Sequence, residues 1–210
     1  MSAYLPSAPG DIAEACWRRE QFLAAMSLVT TPVTVVATDG VGGRFGQTVS
    51  AMCSVSAEPP LILICISRRS PTCAAIDVNE CFSVNLLSVG QAPVSDTFAG
   101  RPASGDAYDF SCARWTDRVT GAPVLVGAAA TFDCRLERAD DVATHRILVG
   151  SVVDTCLWPS GSLAYRQREY GSHSPLFGSP EDRPNVRLDE GYGRRLPPAP
   201  LKSPQIGDAE

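Results

Sequence analysis

Residues 60–67, PLILICIS, constrain the fold more than any other stretch of the chain. Between Pro60 and Ser67 every residue is apolar. Successive side chains of a strand point to opposite faces, so a run apolar at every position reads as a central strand with both faces covered. It is far shorter than the ~20 residues a helix needs to cross a bilayer. The rest of the chain has the same grammar. VTVVATD (33–39), FGQTVSAMCSVS (45–56), FSVNLLS (82–88), AAATFDCRLERAD (128–140), THRILVGSVVDTCLW (144–158) and SLAYRQREYG (162–171) all read as strands. At least six strands with few helices between them predict antiparallel neighbours and a barrel. A doubly wound sheet would need a helix between nearly every pair of strands.

Helices are predicted where the period changes. DIAEACWRREQFLAAMSL (11–28) repeats Ile12, Ala15, Cys16, Phe22, Leu23 and Met26 at helical spacing, with Asp11 placed to cap it. Arg19 interrupts that stripe, which suits a helix lying over a surface. SPTCAAIDVNE reads as a short helix with Ser70 as its cap and Pro71 in its first position. GQAPVSDTFAG (90–100) gives a second short helix, and 101–121 reads as loop. From residue 175 the composition shifts: the last 36 residues hold seven of the 17 prolines and little apolar content. The expected organisation is an N-terminal extension over 1–19, forming part of helix 11–28, a barrel domain over 20–174, and an extended tail over 175–210.

Composition removes several functions. The chain has 210 residues, enough for one domain with a real core, and 44% of them are hydrophobic. A net charge of -5 gives no basic stripe for nucleic acid. The N-terminus lacks the basic-then-apolar order of a secretion signal, and no run is long enough to be a membrane span, so a cytoplasmic protein is expected. Eight cysteines show no C-x-x-C spacing, and the two histidines, His145 and His173, form no ligand pair with them. Buried free thiols, with no metal, are the expectation.

Three segments gather chemistry. GVGGRFG lacks the spacing and the strand–turn–helix context of a dinucleotide loop, and reads as a hairpin turn. In GQTVSAMCSVS a continuous strand would put Thr48, Ser50, Met52 and Ser54 on one face and Gln47, Val49, Ala51 and Cys53 on the other. That pattern suits a solvated sheet face, or small residues leaving room for a flat ligand to reach the backbone. ISRRSPT (66–72) brings hydroxyls, two guanidiniums and a helix start together, as a phosphate site would, or as a helix cap with two solvated arginines. His145 opens a strand. No G-x-S-x-G elbow is present for hydrolase chemistry.

Taken in order, TTPVTVVAT, GQTVSAMCSVSAEPPLILICISRRSPT, CFSVNLL, DTFAG, TGAPVL, HRILVGSVVD and LAYRQREYG resemble the flavin reductase family of the FMN-binding split barrel. These are the NAD(P)H-dependent reductases of two-component flavin monooxygenases. The likeness spans roughly residues 20–171. It implies a mainly β protein, a six-stranded antiparallel split barrel with a few flanking helices, that forms a homodimer with flavin near the subunit interface. It implies that Gln47, Thr48, Val49, Ser50 and Ala51 run along the flavin ring, with Cys53 and Ser54 nearby. The ribityl chain and phosphate would meet Ile66, Ser67, Arg68, Arg69, Ser70, Pro71 and Thr72, with Asn85 and Leu86 closing over them. His145 would lie near the nicotinamide, and Arg166, Gln167, Arg168, Glu169 and Tyr170 would contact the pyridine nucleotide.

One departure stands out: Ala143 and Thr144 precede His145 where many relatives have Gly-Asp. The implied cofactors are FMN or FAD and NADH, with NADPH as the alternative. The implied partner is a monooxygenase that receives reduced flavin. The alternatives are a split-barrel oxidase that keeps FMN for its own substrate, and a flavin-binding protein without catalysis.

Overall fold

The computed structural model describes residues 9–158 and 160–176, with side chains from residue 14 onward. The proline-rich tail, from residue 177 on, lies outside the described residues.

The chain begins with helix α1 (Pro9–Ser27). Strand β1 (Thr31–Pro32) leads into β2 (Thr34–Thr38), all five residues of which are buried. Then come β3 (Phe45–Val49), β4 (Met52–Ala57), β5 (Pro60–Ser67), α2 (Pro71–Asn79) and β6 (Cys81–Leu86). A single 3-10 turn (Val89–Gln91) precedes α3 (Ala92–Phe98). The remainder is β7 (Trp115–Asp117), β8 (Pro123–Leu125), β9 (Ala130–Val142), β10 (His145–Leu157), β11 (Leu163–Arg166) and β12 (Glu169–Ser172).

The main sheet has seven strands in the order β3-β2-β6-β9-β10-β5-β4, each neighbour antiparallel. Its two edge strands, β3 and β4, are consecutive in the chain and joined only by Ser50 and Ala51. A sheet whose opposite edges are that close in sequence must curl until they nearly meet. The Cys65 amide of β5 donates to the Ala51 carbonyl at 2.9 Å, which holds the link between them on the β4 side. β3 and β4 do not pair, and the barrel stays split.

Inside it, Val36, Ile64, Phe82, Val84, Cys134 and Leu148 form the core. At Gly150 a side chain has no room, since an added Cβ would sit 2.5 Å from the Phe82 ring. A second cluster of Val35, Leu87, Phe98 and Leu125 fills the space by α3 and the β7–β8 hairpin. Asn79, ending α2, accepts from the Gly42 amide at 2.7 Å and donates to Thr38 and Gly43, fastening the β2–β3 loop to the helix.

Several expectations are corrected. The stretch 45–56 is two strands, because the chain turns at Ser50–Ala51 from one edge of the sheet to the other. The single strand expected over 162–171 is a hairpin whose turn residues, Gln167 (φ 50) and Arg168 (φ 68), are both left-handed, as a tight two-residue turn requires. The main sheet holds seven strands rather than six, and the loop 101–121 contains β7.

Candidate active site

Between β3 and the end of β5 lies a cavity of about 570 Å³. One wall is the run Gln47, Thr48, Val49, Ser50 and Ala51, and the other is Ile66 and Ser67 at the end of β5. His145 stands among the lining residues, at the start of β10. Edge strands carry unpaired backbone donors and acceptors, which other proteins cover or blunt. Here that edge faces the cavity. Thr48 directs its hydroxyl elsewhere, donating to the Ser95 carbonyl at 2.7 Å, and Val49 sends its side chain into the core. Phe22 and Met26, one helical turn apart on α1, also line the cavity. Sequence reading saw α1 as a surface helix and missed that role; their i, i+4 spacing in the apolar stripe was the available signal.

A second cavity, of about 480 Å³, shares Gln47 and Ser67 with the first. It is lined by Arg69, Ser70, Pro71 and Thr72, at the start of α2. Ser70 has the extended backbone of an N-cap (φ -72, ψ 130) but makes no capping bond. Its hydroxyl donates instead to Gln47 Oε1, tying the helix start to β3. The positive end of the helix, with Arg69 beside it, favours an anion there.

The two arginines of ISRRSPT part company. Arg69 faces the cavity, whereas Arg68 pairs with Asp141 at 3.1 Å and donates to the Ala143 carbonyl. Asp141 also takes Arg146 Nε at 2.6 Å, and Arg146 pairs further with Asp77 on α2. The hydrogen bond from Arg146 holds the Asp141 carboxyl below its ordinary range, and the same bond raises the guanidinium. This network fastens the β9–β10 turn, which carries His145, to the helix that carries the anion site. Thr144 Oγ1 lies 2.9 Å from His145 Nδ1.

Other expected residues are not brought to the cavities. Asn85 is fully buried and its amide is spent inside: it donates to the Val35 carbonyl and Ser83 Oγ and accepts from the Leu125 amide. That expectation was wrong because strand alternation turns Asn85 into the core. Leu86 pairs with Thr34 and Ala130 in the sheet and lines neither cavity. Cys53 and Ser54 are exposed on β4, beyond the turn that ends the wall.

The closing hairpin lines cavities of its own. Arg166, Gln167 and Glu169 meet Thr30, and Arg168 meets Glu20 and Leu23 on α1. The Gln167 amide donates to the Ser27 carbonyl at 2.8 Å, so the end of α1 is held against this turn. Tyr170 donates to Asp96 at 2.7 Å and has Ser95 Oγ at 3.0 Å; burial first, then the Asp96 bond, raises its phenol, against a lowering by the Ser95 bond. Its hydroxyl is an anchor to α3.

The chemistry of the walls fits a flavin. Small residues and backbone border a slot for a flat ring, and it continues into an anion site. Residues 26–174 match the model of the flavin reductase like domain. The chain belongs to the flavin reductase family. It is 42% identical over 166 residues to the FMN reductase (NADH) RutF of Ancylobacter novellus, covering 78% of this chain and 88% of the relative. Among solved reductases, the NADH:FAD oxidoreductase of Streptomyces globisporus, in complex with NAD and FAD fragments, superposes with a TM-score of 0.67 at 28% identity. That match covers 75% of this chain and 94% of the other. BorF, the flavin reductase component of a bacterial two-component tryptophan halogenase, gives 0.66 at 28%, covering 73% and 97%. The split-barrel, mainly antiparallel architecture expected from sequence is the family's.

Proposed function

We propose that the protein is an NADH-dependent flavin reductase that passes reduced flavin to a monooxygenase. The observation carrying this reading is the slot between edge strand β3 and the end of β5, with His145 in its lining and the α2 anion site at its end. Hydride moves from nicotinamide C4 to flavin N5, chemistry that the two cofactors supply themselves. The chain's task is positioning and charge stabilisation. Backbone from Gln47 to Ala51 borders the ring and offers donors to the negative charge that grows on it. Arg69 and the α2 start hold the phosphate. His145 orients the nicotinamide, its Nδ1 engaged by Thr144. Phe22 and Met26 keep water from the ring.

The same reading includes a homodimer. The outward residues of β5, Leu61, Leu63 and Cys65, are only half-buried, as are Ile147 and Val149 opposite them on β10. Val55 is exposed next to this face, and Trp17 and Leu23 are exposed on α1. A run apolar on both faces has one face uncovered here, which a second copy would cover. Within one chain α1 stands between the closing hairpin and the His145 cavity, so contacts from Arg166 to Glu169 to NADH are proposed to come from that second copy.

The test is NADH oxidation, followed by absorbance, with FMN, with FAD and with no added flavin, and NADPH in comparison. Turnover that depends on added flavin is the expected result. Tight flavin binding without NADH oxidation would leave an oxidase or a carrier. For the dimer, Leu63→Arg is expected to shift the mass measured by light scattering from two copies to one.

A further inference from the structure

The His145 ring has one polar partner among the described residues, the Thr144 hydroxyl, 2.9 Å from Nδ1. The rest of the turn is committed elsewhere. Val142 and His145 are register partners on β9 and β10, so the turn between them is Ala143 and Thr144 alone. Ala143 takes the left-handed backbone (φ 51) that the first position of such a turn requires. Arg68 occupies both turn carbonyls: its amide donates to Thr144 at 3.1 Å and its guanidinium to Ala143 at 3.4 Å. Asp141 pairs with Arg68 and Arg146, and Asp77 with Arg146. Among the described residues no carboxylate pairs with His145.

A neutral imidazole carries one proton, and the partner of one nitrogen decides what the other presents. A carboxylate at Nδ1 only accepts, so it would draw the proton there and leave a lone pair on Nε2. A hydroxyl can donate or accept. An imidazole lone pair, which takes a proton near about pH 6.5 in water, is far more basic than a hydroxyl oxygen and is the better acceptor of the two. Thr144 Oγ1–H therefore donates to Nδ1, and the proton of the ring sits on Nε2. With Nδ1 tied to the turn, Nε2 is the nitrogen left for the slot that His145 lines.

We propose that Thr144 is a positioning residue that fixes His145 as the Nε2–H tautomer, an uncharged donor to the carbonyl oxygen of the nicotinamide carboxamide. The inference rests on the flavin reductase reading and adds to it the direction of the hydrogen bond between protein and nicotinamide. Thr144 acts through His145 rather than on the cofactor. The consequence is a specificity for ring substituents that accept. An acetylpyridine ring, which keeps the carbonyl and lacks the NH2 group, satisfies such a donor as well as nicotinamide does. A histidine with its lone pair on Nε2 would need the NH2 group instead.

Nitrogen NMR of the full chain, labelled at histidine and recorded without cofactors at a pH where imidazole is neutral, reads the tautomer directly. The chain has only two histidines, so His145→Gln assigns the signals, and the exposed His173 is an internal reference. The ratio of Nε2–H to Nδ1–H is expected to be about two- to tenfold higher at His145 than at His173, the scale of one hydrogen bond. Thr144→Ser keeps that excess, Thr144→Val abolishes it, and Thr144→Asp reverses it. The same ratio in the wild type and in Thr144→Val would overturn the proposal, as would a dominant Nδ1–H form in the wild type. In turnover, the KM of the reduced acetylpyridine analogue relative to that of NADH should rise about two- to tenfold in Thr144→Asp and stay unchanged in Thr144→Ser. No rise in Thr144→Asp would overturn recognition of the carbonyl. Absence of NADH oxidation beside an intact Nε2–H excess would sink the reductase reading alone.

Discussion

The β9–β10 ladder and the β3/β4 edges are built from similar residues and end in opposite conditions. β9 and β10 are 13 residues each and pair along their length, with only two register shifts. Their backbone groups are spent on each other and on the outer neighbours β6 and β5, and their inward side chains pack with Phe82 in the core. β3 and β4 each have one partner and one open edge. The difference teaches where a β-protein keeps its binding capacity. Paired strands supply stability, and an edge that folding leaves unpaired supplies donors for a ligand.

The comparison breaks most visibly in the core. Phe82→Ala, in a fully buried side chain, is expected to lower unfolding free energy by about 3–5 kcal/mol in urea titrations. Loss of much less would mean that the paired half is not what holds the barrel. A pH series sharpens the same point. Burial pushes the Cys134 thiol up to about 12. The unfolded chain releases that proton near pH 8.5. The thiol's contribution to stability is therefore full below about pH 8.5 and is lost as pH rises toward 12, with a slope approaching ~1.4 kcal/mol per pH unit. Cys134→Ala should show a shallower alkaline decline than wild type in urea melts compared at rising pH.

On the edge side the effects move from stability to binding. Ser70→Ala removes the tie between α2 and Gln47. One side-chain hydrogen bond is worth about 0.5–1.5 kcal/mol, so flavin affinity should fall by roughly two- to tenfold while the melting temperature hardly moves. A large drop in melting temperature would instead make Ser70 a structural residue. The smallest effect belongs to Arg146→Met. Its ion pairs with Asp77 and Asp141 lie at the surface, where such pairs contribute about 0–1 kcal/mol each. Stability should change little, with the larger consequence in the KM for NADH through the His145 turn.

Legibility in the sequence followed the same division. α2 was readable because Ser70 and Pro71 are local signals for a helix start, and Ser70 does stand at the N-cap position. The strands were readable from alternation, but alternation has no mark for where a strand changes partners, so 45–56 was read as one strand. Asn85 shows the complementary failure. A polar residue in a strand suggests a site, yet its amide is satisfied wholly by Val35, Ser83 and Leu125, the last 40 residues away in sequence. Arg68 and Arg69 have the same local signal, and only the position of Asp141 on the next hairpin separates them. Tyr108 carried no signal at all, since a positive φ on tyrosine is imposed by Thr97 and Gly100.

The sequence alone determined an antiparallel β-rich domain, the helix start at Ser70–Pro71 and the family resemblance, because these rest on periodicity and on contacts between near neighbours. Only the tertiary structure decided that β3 and β4 become opposite edges of one curled sheet, that Arg69 rather than Arg68 faces the anion cavity, and that Phe22 and Met26 line the slot. Each of those outcomes depends on which distant strand or helix lies alongside, and side-chain type does not encode that partner residue by residue.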